Sequence, residues 1–170
     1  MRRLIFTAIL MSVFLYCNQG FGEGSCDICS SKSSDVEKDI ILHCLVGHMR
    51  MYPEDPKGAK QAVICAIAEW QRRDGAIGFT ISDAFLAMME MNPTVFFAVM
   101  AENEKSFSEW VNELEPLSFT WHKEPPSPLE GKRKKLIEFL SKVGPLKEEQ
   151  DILRQRLLSA LKALKVRQVQ

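Results

Sequence analysis

Two features of this 170-residue sequence predict an all-α protein, either an irregular helical bundle or a short α-solenoid-like stack of helical hairpins, preceded by a cleaved signal peptide. Apolar residues recur at spacings of three and four along most of the chain, which is the period of a one-sided helix. Prolines and glycines stand at the borders of those stretches, where helices start and stop. With 46% hydrophobic residues over this length, the chain can bury about two-thirds of its unfolded surface. It needs neither metal nor disulfide to acquire a core, which excludes a disordered chain and a bare disulfide scaffold.

The N-terminus has the pattern of a secretory signal peptide over residues 1–22. Arg2 and Arg3 precede an uncharged apolar run over residues 4–16, and a small, polar stretch over residues 18–24 follows. The run is too short to span a bilayer as a stable helix. Gly20 and Gly22 supply the small residues of a cleavage site, so the cut is expected after Gly22, with Gly24 as second choice. The alternative is a lipid-anchored form carried on Cys17, against which the bulky Tyr16 stands. The expected location is the bacterial periplasm or the medium.

Residues 23–34 form a cysteine-containing segment, and residues 35–115 a helical body. Ser34 or Asp35 can cap a first helix whose apolar positions are Ile40, Ile41, Cys44, Leu45 and Met49, and Pro53 and Pro56 stop it. A second helix spans about 57–73, with Ala62, Val63, Ala66, Ile67 and Trp70 inward, and Asp74, Gly75 and Gly78 turn the chain. A third starts at Thr80 or Ser82, with Ile81, Phe85, Met88 and Met89 on its inner side, and ends before Pro93.

There follows a short repeat, M-x-x-N-x-x-x-F, at Met89 to Phe96 and again at Met100 to Phe107. Each Asn can close one helix and cap the next, while each Phe anchors the following helix. Two copies make either the start of a solenoid or a bundle that reuses a corner. Phe96, Phe97, Val99 and Met100 furnish one short helix, and Phe107, Trp110, Val111 and Leu114 the next.

Pro116, Pro125, Pro126 and Pro128 mark residues 116–130 as an extended connection, in which Phe119 and Trp121 are expected to tuck back onto the body. Residues 131–170 form a basic pair of helices, about 132–143 and 145–166, the last with Leu153, Leu157, Leu161 and Leu164 on one side. Here the overall charge of zero divides. Residues 130–170 carry 11 Lys or Arg against 5 Asp or Glu, and residues 23–129 carry 9 against 17. Docking of the basic tail on the acidic body is the expected result, and an anionic membrane surface or an unknown protein partner is the alternative target. No nucleic-acid recognition motif is present.

The residues with chemistry of their own are Cys26, Cys29, His43, Cys44, His48 and Cys65. As disulfides, they suggest Cys44 with Cys65 across the first hairpin and Cys26 with Cys29. As a redox site, Cys26 and Cys29 have the two-residue spacing that lets one thiolate release the other. That spacing resembles the one in exported thiol reductases of cytochrome c maturation, where C-x-x-C precedes a helical hairpin; the resemblance covers the motif alone and implies no activity. As a zinc site, Cys26, Cys29, His43 and His48, with Cys44 as alternative ligand, meet the loose spacing of two thiolates and two imidazoles. Glu90, Glu102, Glu109 and Glu113 and the loop residue His122 form no pattern, and no cofactor motif is present. The sequence therefore points to a non-catalytic interaction or structural module, with a periplasmic thiol-disulfide oxidoreductase or small zinc-binding module as alternatives.

Overall fold

The computed structural model describes residues 35–121 and 127–168. The expected signal peptide, its cleavage site, Cys17, and the segment with Cys26 and Cys29 lie outside the described residues, as does His122. The described chain is all-α, with seven helices: α1 Asp35–Met51, α2 Pro56–Gln71, α3 Ile77–Met91, α4 Pro93–Glu102, α5 Glu104–Ser118, α6 Ser127–Lys142 and α7 Glu148–Ala163. A two-residue parallel pairing, β1 Thr120–Trp121 with β2 Arg167–Gln168, brings the chain end back to the close of α5.

The helices form a bundle and not a solenoid, because their strongest contacts are not between sequence neighbours. α1 packs chiefly on α3, and α4 chiefly on α7, across the intervening α5 and α6. α4 is the hub. It touches α2, α3, α5 and α7, and Phe96, Phe97, Val99 and Met100 are all buried, as expected of a helix that is apolar on most sides. Around it the rings of Trp70, Phe85, Phe96, Phe107 and Trp110 interlock mostly edge to face, with centroids 5.3 Å apart for Phe85 and Trp110 and 5.8 Å for Phe96 and Trp110.

Local chemistry explains most boundaries. Asp55 accepts from the amides of Lys57 and Gly58 and so caps α2, whose first residue is Pro56, a position that needs no N–H. The Asn92 side chain accepts from the Val95 amide at 3.1 Å and caps α4 as expected. Asn103 does only half of what the repeat suggests. Its amide donates to the Val99 carbonyl at 2.9 Å, closing α4, and makes no cap bond to α5.

Other expectations are corrected. α3 starts at Ile77, and Gly78 lies buried inside it, where a side chain would meet Leu117; the turn needs only Gly75, at φ +32°. Leu42 and His48, not Ile40 and Ile41, complete the buried face of α1 with Leu45 and Met49, so the inner stripe is turned from the one predicted. The connection expected over residues 116–130 is helical at both ends. Pro116 sits in α5 near its C-terminus, where only the next two residues remain helical, and Pro128 sits in the first turn of α6. Phe119 tucks back and is fully buried. The final helix is Glu148–Ala163, shorter than predicted at both ends, with Leu153, Leu157 and Leu161 buried as predicted and Leu158 and Gln150 added.

The basic tail docks on the acidic body through side chains. Lys132 of α6 meets Asp83 of α3 at 2.8 Å, and Arg156 of α7 meets Glu104 and Ser108 of α5 at 2.8 and 3.0 Å. Within the α6–α7 hairpin, Arg133 donates to the Leu161 carbonyl and Arg154 to the Leu140 carbonyl. Each helix thus supplies a guanidinium to the C-terminal carbonyls of the other.

Candidate functional site

The histidine and cysteine candidates do not converge. His43 and His48 are five residues apart on α1, which places them about 140° apart around the axis. His43 faces solvent, with Nδ1 2.9 Å from the Asp39 carbonyl oxygen. His48 turns inward, its Nε2 3.5 Å from Asp55 Oδ2 and its ring 4.9 Å from that of Tyr52. Among the described residues no group of three His, Cys, Asp or Glu is arranged to hold a metal. Cys44 and Cys65 do not form the expected staple, although Cys65 is buried. The physical reason is the rotation of α1, whose Leu42, Leu45 and Met49 face the body and leave Cys44 half-buried on the flank.

Around His48 the helix ends fit closely. The Gly58 amide, with further help from His48 and from the Lys57 amide, holds the Asp55 carboxyl below its ordinary range against a smaller opposing effect of burial. Gly58 is required for this approach. A Cβ there would collide with the Asp55 carboxylate and stand 2.7 Å from His48 Nε2.

A second constellation, not anticipated from sequence, joins α3, α5 and α6. Trp110 Nε1 donates to Ser82 Oγ at 2.9 Å, Ser82 and Ser118 share a 2.7 Å hydrogen bond, Ser118 Oγ donates to Asp83 Oδ1 at 3.1 Å, and Lys132 donates to the same oxygen at 2.8 Å. Proton counting fixes its direction. An ionised Asp83 only accepts, so the Ser118 hydroxyl is committed to it and Ser82 must donate to Ser118. Every hydroxyl is satisfied, and the chain runs from a fully buried indole to a surface ion pair. The arrangement links three helices and aims no nucleophile at an open cavity. Three of the four carboxylates singled out in the sequence are likewise engaged at the surface: Glu109 and Glu113 flank Arg73, and Glu102 pairs with Lys60.

Among the described residues an open groove of about 600 Å³ lies between α5 and α7, lined by Val111, Asn112, Glu148, Ile152, Gln155 and Arg156, among others. Ile152 is 55% exposed there, although the neighbouring Leu153 is buried in the bundle. Sequence reasoning missed this residue because it falls outside the leucine stripe of α7, and its departure from that stripe was the available signal. The groove thus belongs to an all-α helical bundle. Comparison of the chain with family models, with curated proteins and with solved structures finds no match.

Proposed function

We propose that this protein is an exported, non-catalytic helical interaction module that holds a segment of a partner protein in the groove between α5 and α7. The observation that carries the reading is Ile152, a large apolar side chain exposed beside Val111. Glu148 lines the groove beside it, while Asp151 is held by Arg154 and Arg156 by Glu104, so the surface suits a segment presenting one apolar residue next to a basic one.

The test is cross-linking in an envelope extract with the wild-type chain and Ile152→Arg. Because Ile152 is exposed, the variant keeps the wild-type helical circular dichroism and melting temperature. A partner captured by the wild type and lost in the variant supports the reading. Identical capture by both removes the groove from it.

A further inference from the structure

We infer that the end of the α6–α7 hairpin where α6 begins and α7 finishes is an electrostatic docking surface for an anionic lipid bilayer.

The placement follows from one hydrogen bond. Arg133 donates to the Leu161 carbonyl at 2.9 Å and so holds the start of α6 beside the end of α7. Lys132, Lys134 and Lys135 neighbour Arg133 on α6, and Lys162 and Lys165 follow Leu161, so six basic residues are carried by the two segments that this bond joins. The acids at hand are few. Asp83 holds Lys132, and Glu130 is bound by two of the three guanidinium nitrogens of Arg133. After Asp151 the sequence contains no acid up to residue 170. Lys134 reaches Glu130 only at 3.9 Å with its side chain 73% exposed, and the exposed Lys135, Lys162 and Lys165 have no ion-pair partner among the described residues.

The local helix does not explain these charges. Four consecutive basic residues, Lys132 to Lys135, lie in the middle of α6, away from the last turn where the helix dipole favours cations. The form of the patch selects its target. Its uncommitted charges are lysines alone, flexible ammonium points with no cavity and no fixed guanidinium fork among them, which suits a plane of anionic headgroups better than a shaped acidic protein site or base edges. Contact is expected at the surface without insertion, because Leu153, Leu157, Leu158 and Leu161 of α7 are already buried in the bundle.

The test is co-sedimentation of the full mature chain with phosphatidylcholine vesicles, with and without phosphatidylglycerol. Binding is expected only to the anionic vesicles and is expected to vanish at about 1 M salt, where screening acts over roughly 3 Å. Lys135→Glu combined with Lys162→Glu is expected to weaken binding by at least about tenfold, since a single basic residue near an anionic surface contributes roughly fivefold. Both positions are exposed, and an unchanged melting curve verifies the fold. Lys105→Glu, on the exposed side of α5, serves as the control and leaves binding intact. Absent binding, equal binding to both vesicle types, insensitivity to the double variant, or tighter binding to polyglutamate or duplex DNA than to the vesicles at the same salt overturns the proposal.

Discussion

The body formed by α1–α5 and the hairpin formed by α6 and α7 are held together by different physics. The body is interlocked by large rings around α4, and its one long buried polar chain is satisfied from Trp110 to Asp83. The hairpin contributes a leucine face and joins its helices to each other and to the body through Arg and Lys contacts with carbonyls and carboxylates. Ring geometry specifies one arrangement of the body, whereas a leucine face tolerates several, and the charged contacts supply the register that the leucines leave open. The difference also shows why the basic tail is no detachable arm: α7 covers α4, the hub of the body.

The largest expected effect tests whether the two regions unfold together. Phe96→Ala removes a fully buried ring from the hub and is expected to cost about 4 kcal/mol, and Leu157→Ala in α7 about 3 kcal/mol. Because α7 packs on α4, urea denaturation followed by tryptophan fluorescence and by far-ultraviolet circular dichroism is expected to give one coincident transition for each variant. Two separated transitions in Leu157→Ala would show that the hairpin melts alone.

Two tryptophans in the body sharpen the comparison. Trp70 and Trp110 are both fully buried, but the Trp110 N–H reaches Ser82 while that of Trp70 has no hydrogen-bond partner among the described residues. Trp110→Phe is therefore expected to cost about 1–2 kcal/mol more than Trp70→Phe by urea denaturation, because it strands the buried hydroxyl chain while the other removes an unsatisfied donor. Equal losses would mean that ring volume alone matters in this core.

The two Asn corners give a smaller effect. Asn92→Ala is expected to destabilise by about 1 kcal/mol through loss of the α4 cap, and Asn103→Ala by less, since its side chain makes no bond to the amides of α5. Thermal melts of the two variants check the order.

The smallest effect is at Asp55. Its carboxyl ionises more readily in the folded chain than in the unfolded one, so its contribution to stability is complete above the ordinary carboxylate value of 3.8 and is lost as the pH falls through the lower folded value. In Asp55→Asn that part of the acid sensitivity is expected to disappear, which urea midpoints measured through this window detect.

Much of the fold was legible in the sequence where the determinant was local. The inner faces of α2, α3 and α7 and the cap at Asn92 follow from residues within a few positions of one another. Pro116 and Pro128 misled because a proline is tolerated close to either end of a helix, and only the neighbouring packing shows on which side of it the helix stops. The groove residue Ile152 was legible as an exception to the leucine stripe, but not as part of a groove, since its companions Val111 and Asn112 lie some forty positions away.

By itself the sequence determined an all-α chain, its main helical segments and the separation of acidic body from basic tail, because periodicity, capping and charge are properties of short windows. The tertiary structure decided that α1 lies on α3 and α4 on α7, that α1 turns Leu42 inward and leaves Cys44 apart from Cys65, and that Ser82 and Ser118 meet across 36 positions to complete one hydrogen-bond chain. Such choices depend on which faces bury the most surface while leaving buried polar groups satisfied, and that balance exists only once distant segments share one core.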